Sequence, residues 1–444
     1  MDPINLATID SYQQAVDWLE QHYNLESVLG KPETVPPSLD RMRVVMELLG
    51  HPENAVPAIH ITGTNGKGST TRMIVEMLTA VGLKVGSYTS PHVTSLNDRI
   101  AIANQPLSDQ DFCEAIKEIA AIEPWILKKS NSLPNYFEVI CAAAYNWFAM
   151  NAVDVNVMEV GMGGRWDATN VVRAEVAVIT NMGSDHLEII GPTMADLARE
   201  KSGIIEPTSH VICGTLEQDL LEIVKSVPCR ELWVQDTDFA VTNDRLAVGG
   251  RMLDVSTPFG NYEEIFIPVN GRHQSNNALL AIAATEAFFA RALDADILHD
   301  AFASLQLPAR FEILSRSPLT IVDGAHNVDG AMALSETLFS DFGAEEAPVL
   351  VMGTNRPHNP IDFMQAVNFK EFKAIVATEA KWPRALAASE VAACAQKLGH
   401  KSVEFRADVA EAVDLAREIA GPQGSIIVTG SLYVASEARL HLQS

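Results

Sequence analysis

Short runs of β-branched and other apolar residues alternate with helical patterns along this chain, the mark of an α/β architecture on a largely parallel sheet. Ala58-Ile59-His60-Ile61-Thr62 predicts a strand, and a glycine-rich turn follows it. Met73, Ile74, Met77, Leu78 and Val81 then recur at the spacing of one helix face, and Gly82 ends that helix. Further strands are predicted at 153–160, 175–180 and 211–213. The most apolar stretch, 139–150, is interrupted by Asn146 and reads as a buried helix.

Between about residues 232 and 269 the texture changes to short, turn-rich strands, which predicts a β insertion. After Gln306 a second alternating series begins. Its strands are predicted at 320–322, 349–352, 374–377 and 426–429, with helices such as 409–419 between them. A domain boundary is therefore expected near 305–308. No internal repeat or low-complexity segment interrupts the series.

Composition sharpens this picture. The 444 residues exceed one ordinary domain, which takes roughly 100–200 residues. With 47% apolar and 20% charged residues, the chain is globular with real cores. Asp and Glu number 57 against 32 Lys and Arg, a formal charge of −25. That field repels nucleic acid and anionic membranes, so neither is expected as a partner, and an anionic ligand needs a local cluster of donors. The five scattered cysteines form no C-x-x-C pair, which fits reduced thiols in a cytoplasmic protein. Met1-Asp2-Pro3-Ile4-Asn5 lacks the basic start and apolar run of a secretion signal. No apolar stretch reaches the ~18 residues a membrane span needs.

Candidate chemistry clusters after the predicted strands. Gly63-Thr64-Asn65-Gly66-Lys67-Gly68-Ser69 lies between a strand and a helix, where backbone N–H groups and the helix N-terminus cradle phosphate oxygens. Lys67 would meet the outer phosphates and Ser69 a Mg²⁺ ion. The common pattern sets Ser or Thr directly after the lysine, whereas here Gly68 intervenes. The bland alternative is a turn that merely joins two elements. In Glu159-Val160-Gly161-Met162-Gly163-Gly164-Arg165-Trp166-Asp167, Glu159 closes a strand, where a carboxylate suits a Mg²⁺ shared with phosphates. It could equally cap a helix. Thr180-Asn181-Met182-Gly183-Ser184-Asp185-His186 follows another strand, and a lone His186 is more often structural than functional. Thr193 is placed to cap a helix through Ala198-Arg199-Glu200-Lys201-Ser202-Gly203, where Lys201 alone reads as a solvated or paired residue.

Taken together these segments resemble the folylpolyglutamate synthase and dihydrofolate synthase family of the Mur ligase superfamily. The resemblance extends through Thr89-Ser90-Pro91-His92, Tyr136-Phe137-Glu138, Asp167-Ala168-Thr169-Asn170, Gly271-Arg272-His273-Gln274, Arg310-Phe311-Glu312, Asp323-Gly324-Ala325-His326-Asn327 and Gly430-Ser431-Leu432-Tyr433. It covers nearly the whole chain, and Gly68 belongs to the family's own form of the loop. It implies a P-loop ATP-binding domain over 1–305, with a mostly parallel sheet and a β insertion. A smaller Rossmann-like α/β glutamate-ligase domain would follow over 306–444.

The resemblance also implies roles. Thr64, Asn65, Gly66, Lys67, Gly68 and Ser69 would hold ATP, with Asn277, Arg310, Asp323 and His326 completing the nucleotide site. Ser69, Ser90, Glu159 and His186 would serve two Mg²⁺ ions together with Lys201, whose carbamylation turns a cation into a hard oxygen ligand. Lys67, His186 and Lys201 would be catalytic. Tyr136, Phe137, Glu138, Arg165, Trp166 and Asp167 would lie near the pterin-bearing substrate. The implied reaction joins L-glutamate to a folate or pteroate carboxylate through an acyl phosphate, in a monomer. A peptidoglycan-precursor Mur ligase is the alternative, but only about 60 residues precede Gly63, too few for a uridine-nucleotide domain of ordinary size. A non-catalytic nucleotide-binding regulator is another, though Ser90, Glu159, His186 and Lys201 are all present. Gly353-Thr354-Asn355-Arg356-Pro357-His358-Asn359-Pro360 stands where relatives often carry an acidic-basic-acidic run. Val434-Ala435-Ser436-Glu437 also departs from the usual pattern, and both departures bear on glutamate specificity.

Overall fold

The computed structural model describes residues 9–28, 38–184, 190–342 and 346–444. Eight strands form the first sheet: β1 (Ala58–Thr62), β2 (Val85–Tyr88), β3 (Ile100–Ile102), β4 (Gln105–Pro106), β5 (Val155–Glu159), β6 (Val176–Ile179), β7 (His210–Cys213) and β8 (Glu231–Val234). Their order is β4-β3-β2-β5-β1-β6-β7-β8, antiparallel only at the β2/β3 and β3/β4 edge. Every residue of β1, β2, β5 and β6 is buried, as expected of parallel strands covered on both faces.

Residues of β1, β2 and β5 feed two cores. Ile59, Ile61, Val155 and Val157 face the core containing Met73, Ile74, Met77 and Leu78 of helix Lys67–Ala80 and the apolar body of helix Arg272–Phe289. Met158 and Tyr88 face the other, with helices Asp109–Ser130 and Tyr136–Met150. Each fully buried Leu, Ile or Met side chain there contributes about 1.5–3 kcal/mol.

The β insertion is the antiparallel sheet of β9 (Ala240–Ala247), β10 (Gly250–Ser256) and β11 (Asn261–Ile267). It begins later than the sequence pattern indicates. Residues 232–234 belong instead to β8, which pairs with β7 in the main sheet. A six-stranded sheet follows: β12 (Glu312–Arg316), β13 (Leu319–Val322), β14 (Val349–Met352), β15 (Ala374–Ala377), β16 (Val403–Phe405) and β17 (Ser425–Thr429). Its order is β12-β13-β17-β14-β15-β16, parallel except for the β12/β13 hairpin, with a core on each face.

The two large sheets make an α/β architecture, and the bodies around them are fastened at several points. Buried Arg251 of β10 pairs with Asp244 at 2.7 Å and reaches Asp341 at 2.5 Å. Arg384 donates to the Glu26 carbonyl at 3.0 Å, Arg439 to Thr94 Oγ1 at 3.1 Å, and Ser436 Oγ to the Val93 carbonyl. Among the described residues no helix is long and apolar enough to cross a membrane.

Candidate active site

Parallel β1, β5 and β6 end side by side, so the loops that leave them share one edge of the sheet, the usual ligand edge of such folds. The loop after β1 carries residues 63–69. Gly63 has φ +152, and a Cβ there would stand 1.8 Å from Thr180 Oγ1; Gly66 has φ +84, and a Cβ would meet Asn277 Oδ1 at 2.3 Å. Both positions therefore demand glycine. The loop is clamped from β6: Asn65 N–H donates to Asn181 Oδ1 at 2.9 Å, and the Asn65 carbonyl accepts from Thr180 Oγ1 at 2.6 Å and Asn181 Nδ2 at 3.1 Å. Lys67 Nζ donates to the carbonyls of Gly63 and Thr64 at 3.1 and 3.2 Å. A Cβ on Gly68 would stand 3.4 Å from Glu159 Oε2, so the intervening glycine brings the first helical turn against that carboxylate.

Glu159, the last residue of β5, is 4% exposed and accepts from the Ser90 N–H at 3.1 Å. Burial raises its carboxyl above the ordinary range, against the opposing pull of Lys67, the Ser90 N–H, Arg310 and Arg72. Ser69 and Ser90 line the cleft beside it. Lys201 ends helix Met194–Lys201, which Thr193 caps as expected. Its Nζ, almost fully buried, donates to the Gly63 carbonyl at 2.8 Å. His186 lies outside the described residues. Among those described, no cluster of three His, Cys, Asp or Glu side chains is placed to hold a metal. One buried carboxylate with two hydroxyls still suits Mg²⁺, which is typically bound by one or two carboxylates plus waters and phosphate oxygens.

The second body closes the site. Ala309 and Phe311, which flank Arg310, both adopt positive φ (+55 and +47), a strained backbone for side chains of this kind. Asp323 secures them: its Oδ2 accepts from the Phe311 N–H and its Oδ1 from the Ala325 N–H, both at 2.8 Å. Arg310, Asp323 and His326 thus face the loop and Asn277 across one cleft of about 540 Å³.

The pterin-side expectations divide. Phe137, Glu138, Trp166 and Asp167 line the cleft. Tyr136 and Arg165 are not among its lining residues: Tyr136 is buried under the Arg99 guanidinium at 5.7 Å, and Arg165 is exposed, donating to the Arg199 carbonyl at 3.2 Å. Glu138 is held by Arg41 (2.5 and 2.9 Å) and by its capping box with Asn135. Asp167 accepts from Thr169 Oγ1 at 2.5 Å, Thr169 N–H at 3.0 Å and Met162 N–H at 3.0 Å, so its carboxylate shapes the loop after β5. Residues to which sequence reading gives no site role also line the cleft. His273 has its imidazole held below the ordinary value by burial, and Trp382 stacks on Tyr433 at 4.2 Å. Arg384 joins them, and Asn355 and His358 bring to the cleft the stretch whose departure bears on glutamate specificity.

The comparisons with known proteins agree with this geometry. Residues 61–285 match the family model of the Mur ligase middle domain, and residues 309–432 that of the Mur ligase glutamate ligase domain. The chain is 36% identical to the dihydrofolate synthase/folylpolyglutamate synthase of Mycobacterium tuberculosis (strain ATCC 25618 / H37Rv), with 92% of this chain and 91% of that protein covered. It is 30% identical to the protein of the same name in Bacillus subtilis (strain 168), with 98% and 99% covered. A crystal structure of Mycobacterium tuberculosis folylpolyglutamate synthase complexed with ADP and AMPPCP superposes with a TM-score of 0.90 at 34% identity, over 99% of each chain.

Proposed function

The chain belongs to the Mur ligase family, among the dihydrofolate synthase/folylpolyglutamate synthases, and from that premise we propose that its cleft joins L-glutamate to a folate-type carboxylate, driven by ATP. The observation that carries this reading is the convergence on one cleft of the clamped loop, Glu159 and Lys201 from the first body with Arg310 and Asp323 from the second.

A carboxylate is a poor electrophile. Its oxygen attacks the γ-phosphorus of ATP, the bond to the β-phosphate oxygen breaks, and ADP leaves an acyl phosphate. The glutamate amino group then attacks the acyl carbon, loses a proton and expels inorganic phosphate. Side chains need to do little covalent work; positioning and charge neutralisation carry the rate. In a protein of net charge −25, the cations near Glu159, namely Lys67, Arg310 and Arg72, form the local donor cluster that anionic substrates require. The loop N–H groups and Lys67 hold the phosphates, and Arg310 lies over them when the bodies meet. Burying the acyl phosphate between the bodies excludes water that would hydrolyse it.

Ser69, Ser90 and Glu159 would hold Mg²⁺, with His186 and a carbamylated Lys201 serving a second ion. Such ions neutralise charge on the β- and γ-phosphates when bound. The buried Lys201 Nζ suits carbamylation because the one N–H of a carbamate can keep its bond to the Gly63 carbonyl. Phe137, Trp166 and the loop after β5 form the aromatic side of the cleft suited to a pterin. We read the chain as two domains, 1–305 and 306–444.

Phosphate release with L-glutamate and, separately, dihydropteroate, dihydrofolate or tetrahydrofolate tests the assignment. Glutamate-dependent release with at least one acceptor is expected, and release with none of them overturns it. The acceptor that works identifies which of the two activities the chain carries.

A further inference from the structure

One contact between the two bodies falls on the phosphate loop itself. The side-chain amides of Asn65 and Asn327 meet face to face: Asn327 Nδ2 donates to Asn65 Oδ1 at 3.0 Å, and Asn65 Nδ2 donates to Asn327 Oδ1 at 3.3 Å. Asn65 is in the middle of the loop, half-buried, and Asn327, 9% exposed, belongs to the second body.

Neither amide is free to drift. The Asn65 backbone is gripped on both sides by Thr180 and Asn181, so its side chain projects from a fixed point of the loop. Asn327 is the N-cap of helix Val328–Glu336, and its Oδ1 also accepts from the Gly330 N–H at 2.8 Å. Two residues earlier in the chain, Ala325 N–H is bound to Asp323, and Asp323 in turn binds the Phe311 N–H next to Arg310. The Gly324 N–H closes this unit on the Ala309 carbonyl at 2.8 Å. A rigid path of backbone and short hydrogen bonds therefore runs from Asn65 to Asp323 and Arg310.

We propose that the Asn65–Asn327 amide pair is a clasp that sets the register of the second body on the phosphate loop, which makes Asn327 a positioning residue for Arg310 and Asp323. The proposal deepens the ligase reading and rests on it for its rate readout, while its nucleotide-affinity readout does not. Two bodies joined by modest contacts move relative to each other unless something fixes them. A paired amide between loop and cap does so where an offset of 1 Å matters for phosphoryl transfer.

The test is a double-mutant cycle with Asn65→Ala, Asn327→Ser and both together. Serine keeps the helix cap and adds no charge. ADP affinity is measured by calorimetry, turnover with ATP and glutamate by phosphate release, and the melting temperature without nucleotide serves as the fold control. Each single variant is expected to lose about five- to tenfold in ADP affinity and turnover, the scale of one or two hydrogen bonds. Unliganded melting should stay unchanged, and the double variant should be no worse than the singles. Losses that multiply in the double variant, single variants within twofold of wild type, or equal losses in a destabilised fold would each overturn the clasp. A wild-type protein that binds ADP but ligates no glutamate defeats the ligase reading instead and leaves the affinity cycle to judge the clasp.

Discussion

The ammonium of Lys201 is bonded to the carbonyl of Gly63 at 2.8 Å, tying the last residue of a helix to the first residue of the phosphate loop. The side chain is thus both a strut for the loop and, as a carbamate, an oxygen donor at its edge. Lys201→Ala should lower turnover at least about 100-fold, the scale of losing a group that tunes a metal site. Added acetate or formate should recover part of it, because a small carboxylate can occupy the vacated volume. Lys201→Arg should not recover activity, since a guanidinium is not carbamylated. Steady-state phosphate release with and without the added acid checks all three outcomes. Full activity of Lys201→Arg would sink the carbamate.

Lys67 has a narrower task. Its Nζ donates to the Gly63 and Thr64 carbonyls, and the residue is half-buried. Lys67→Ala should therefore cost turnover on the order of 10²–10³-fold, the size of losing one preorganised donor to a transferring group. The melting temperature should move little. Turnover near wild type would remove the phosphate-loop assignment.

The close approach of Gly63 to Thr180 gives a stability prediction. A methyl group at Gly63 would sit 1.8 Å from Thr180 Oγ1, the hydroxyl that clamps the Asn65 carbonyl. Gly63→Ala should destabilise the protein by about 1–3 kcal/mol, as overpacking does. It should also abolish nucleotide binding. Adding Thr180→Ala removes the clashing oxygen and should recover part of the stability in urea unfolding. It should not recover ADP affinity, because the clamp is then gone.

These cases also bear on what the sequence makes legible. β1, its loop and helix Lys67–Ala80 are plain because a period-2 run, glycines at forced positions and a 3.6-residue stripe occur in succession. β2 is not, since Val85-Gly86-Ser87-Tyr88 looks like a turn. The strand survives because the Phe148 ring fills the space over Gly86, only 2.6 Å from where a Cβ would be. The start of the insertion is misplaced for a similar reason. The residues 232–234 have strand character either way, and only pairing with β7 assigns them. In the site, Glu159 and Lys201 follow from motif position. The Asn65–Asn327 contact spans 262 residues and leaves no spacing rule to read, although Asn327 before a helix does signal a cap. Trp382 and Arg384 reach the cleft from a loop whose local pattern carries no chemistry.

Deep beneath the site, His60 on β1 provides a pH handle. Its Nε2 is 2.9 Å from Thr169 Oγ1, and that hydroxyl donates to Asp167 Oδ1 at 2.5 Å. The hydroxyl must therefore accept from His60, which fixes the neutral tautomer with the proton on Nε2. Nδ1 is buried with no hydrogen-bond partner, and burial pushes the imidazole down to about 3 from an ordinary 6.5. The unfolded chain thus binds a proton below pH 6.5 that the folded protein refuses until about pH 3. Stability from this group is fully present above pH 6.5 and is lost as pH falls through that window, at up to about 1.4 kcal/mol per pH unit. Urea unfolding of wild type and His60→Gln between pH 7 and 4.5 isolates the effect from the carboxylates, which titrate in both. The variant should be less stable at pH 7 and show a shallower decline on acidification, so that the gap narrows by about 2 kcal/mol at pH 5. Parallel declines would mean that His60 takes up a proton in the folded state and that its hydrogen bond to Thr169 is not the one described.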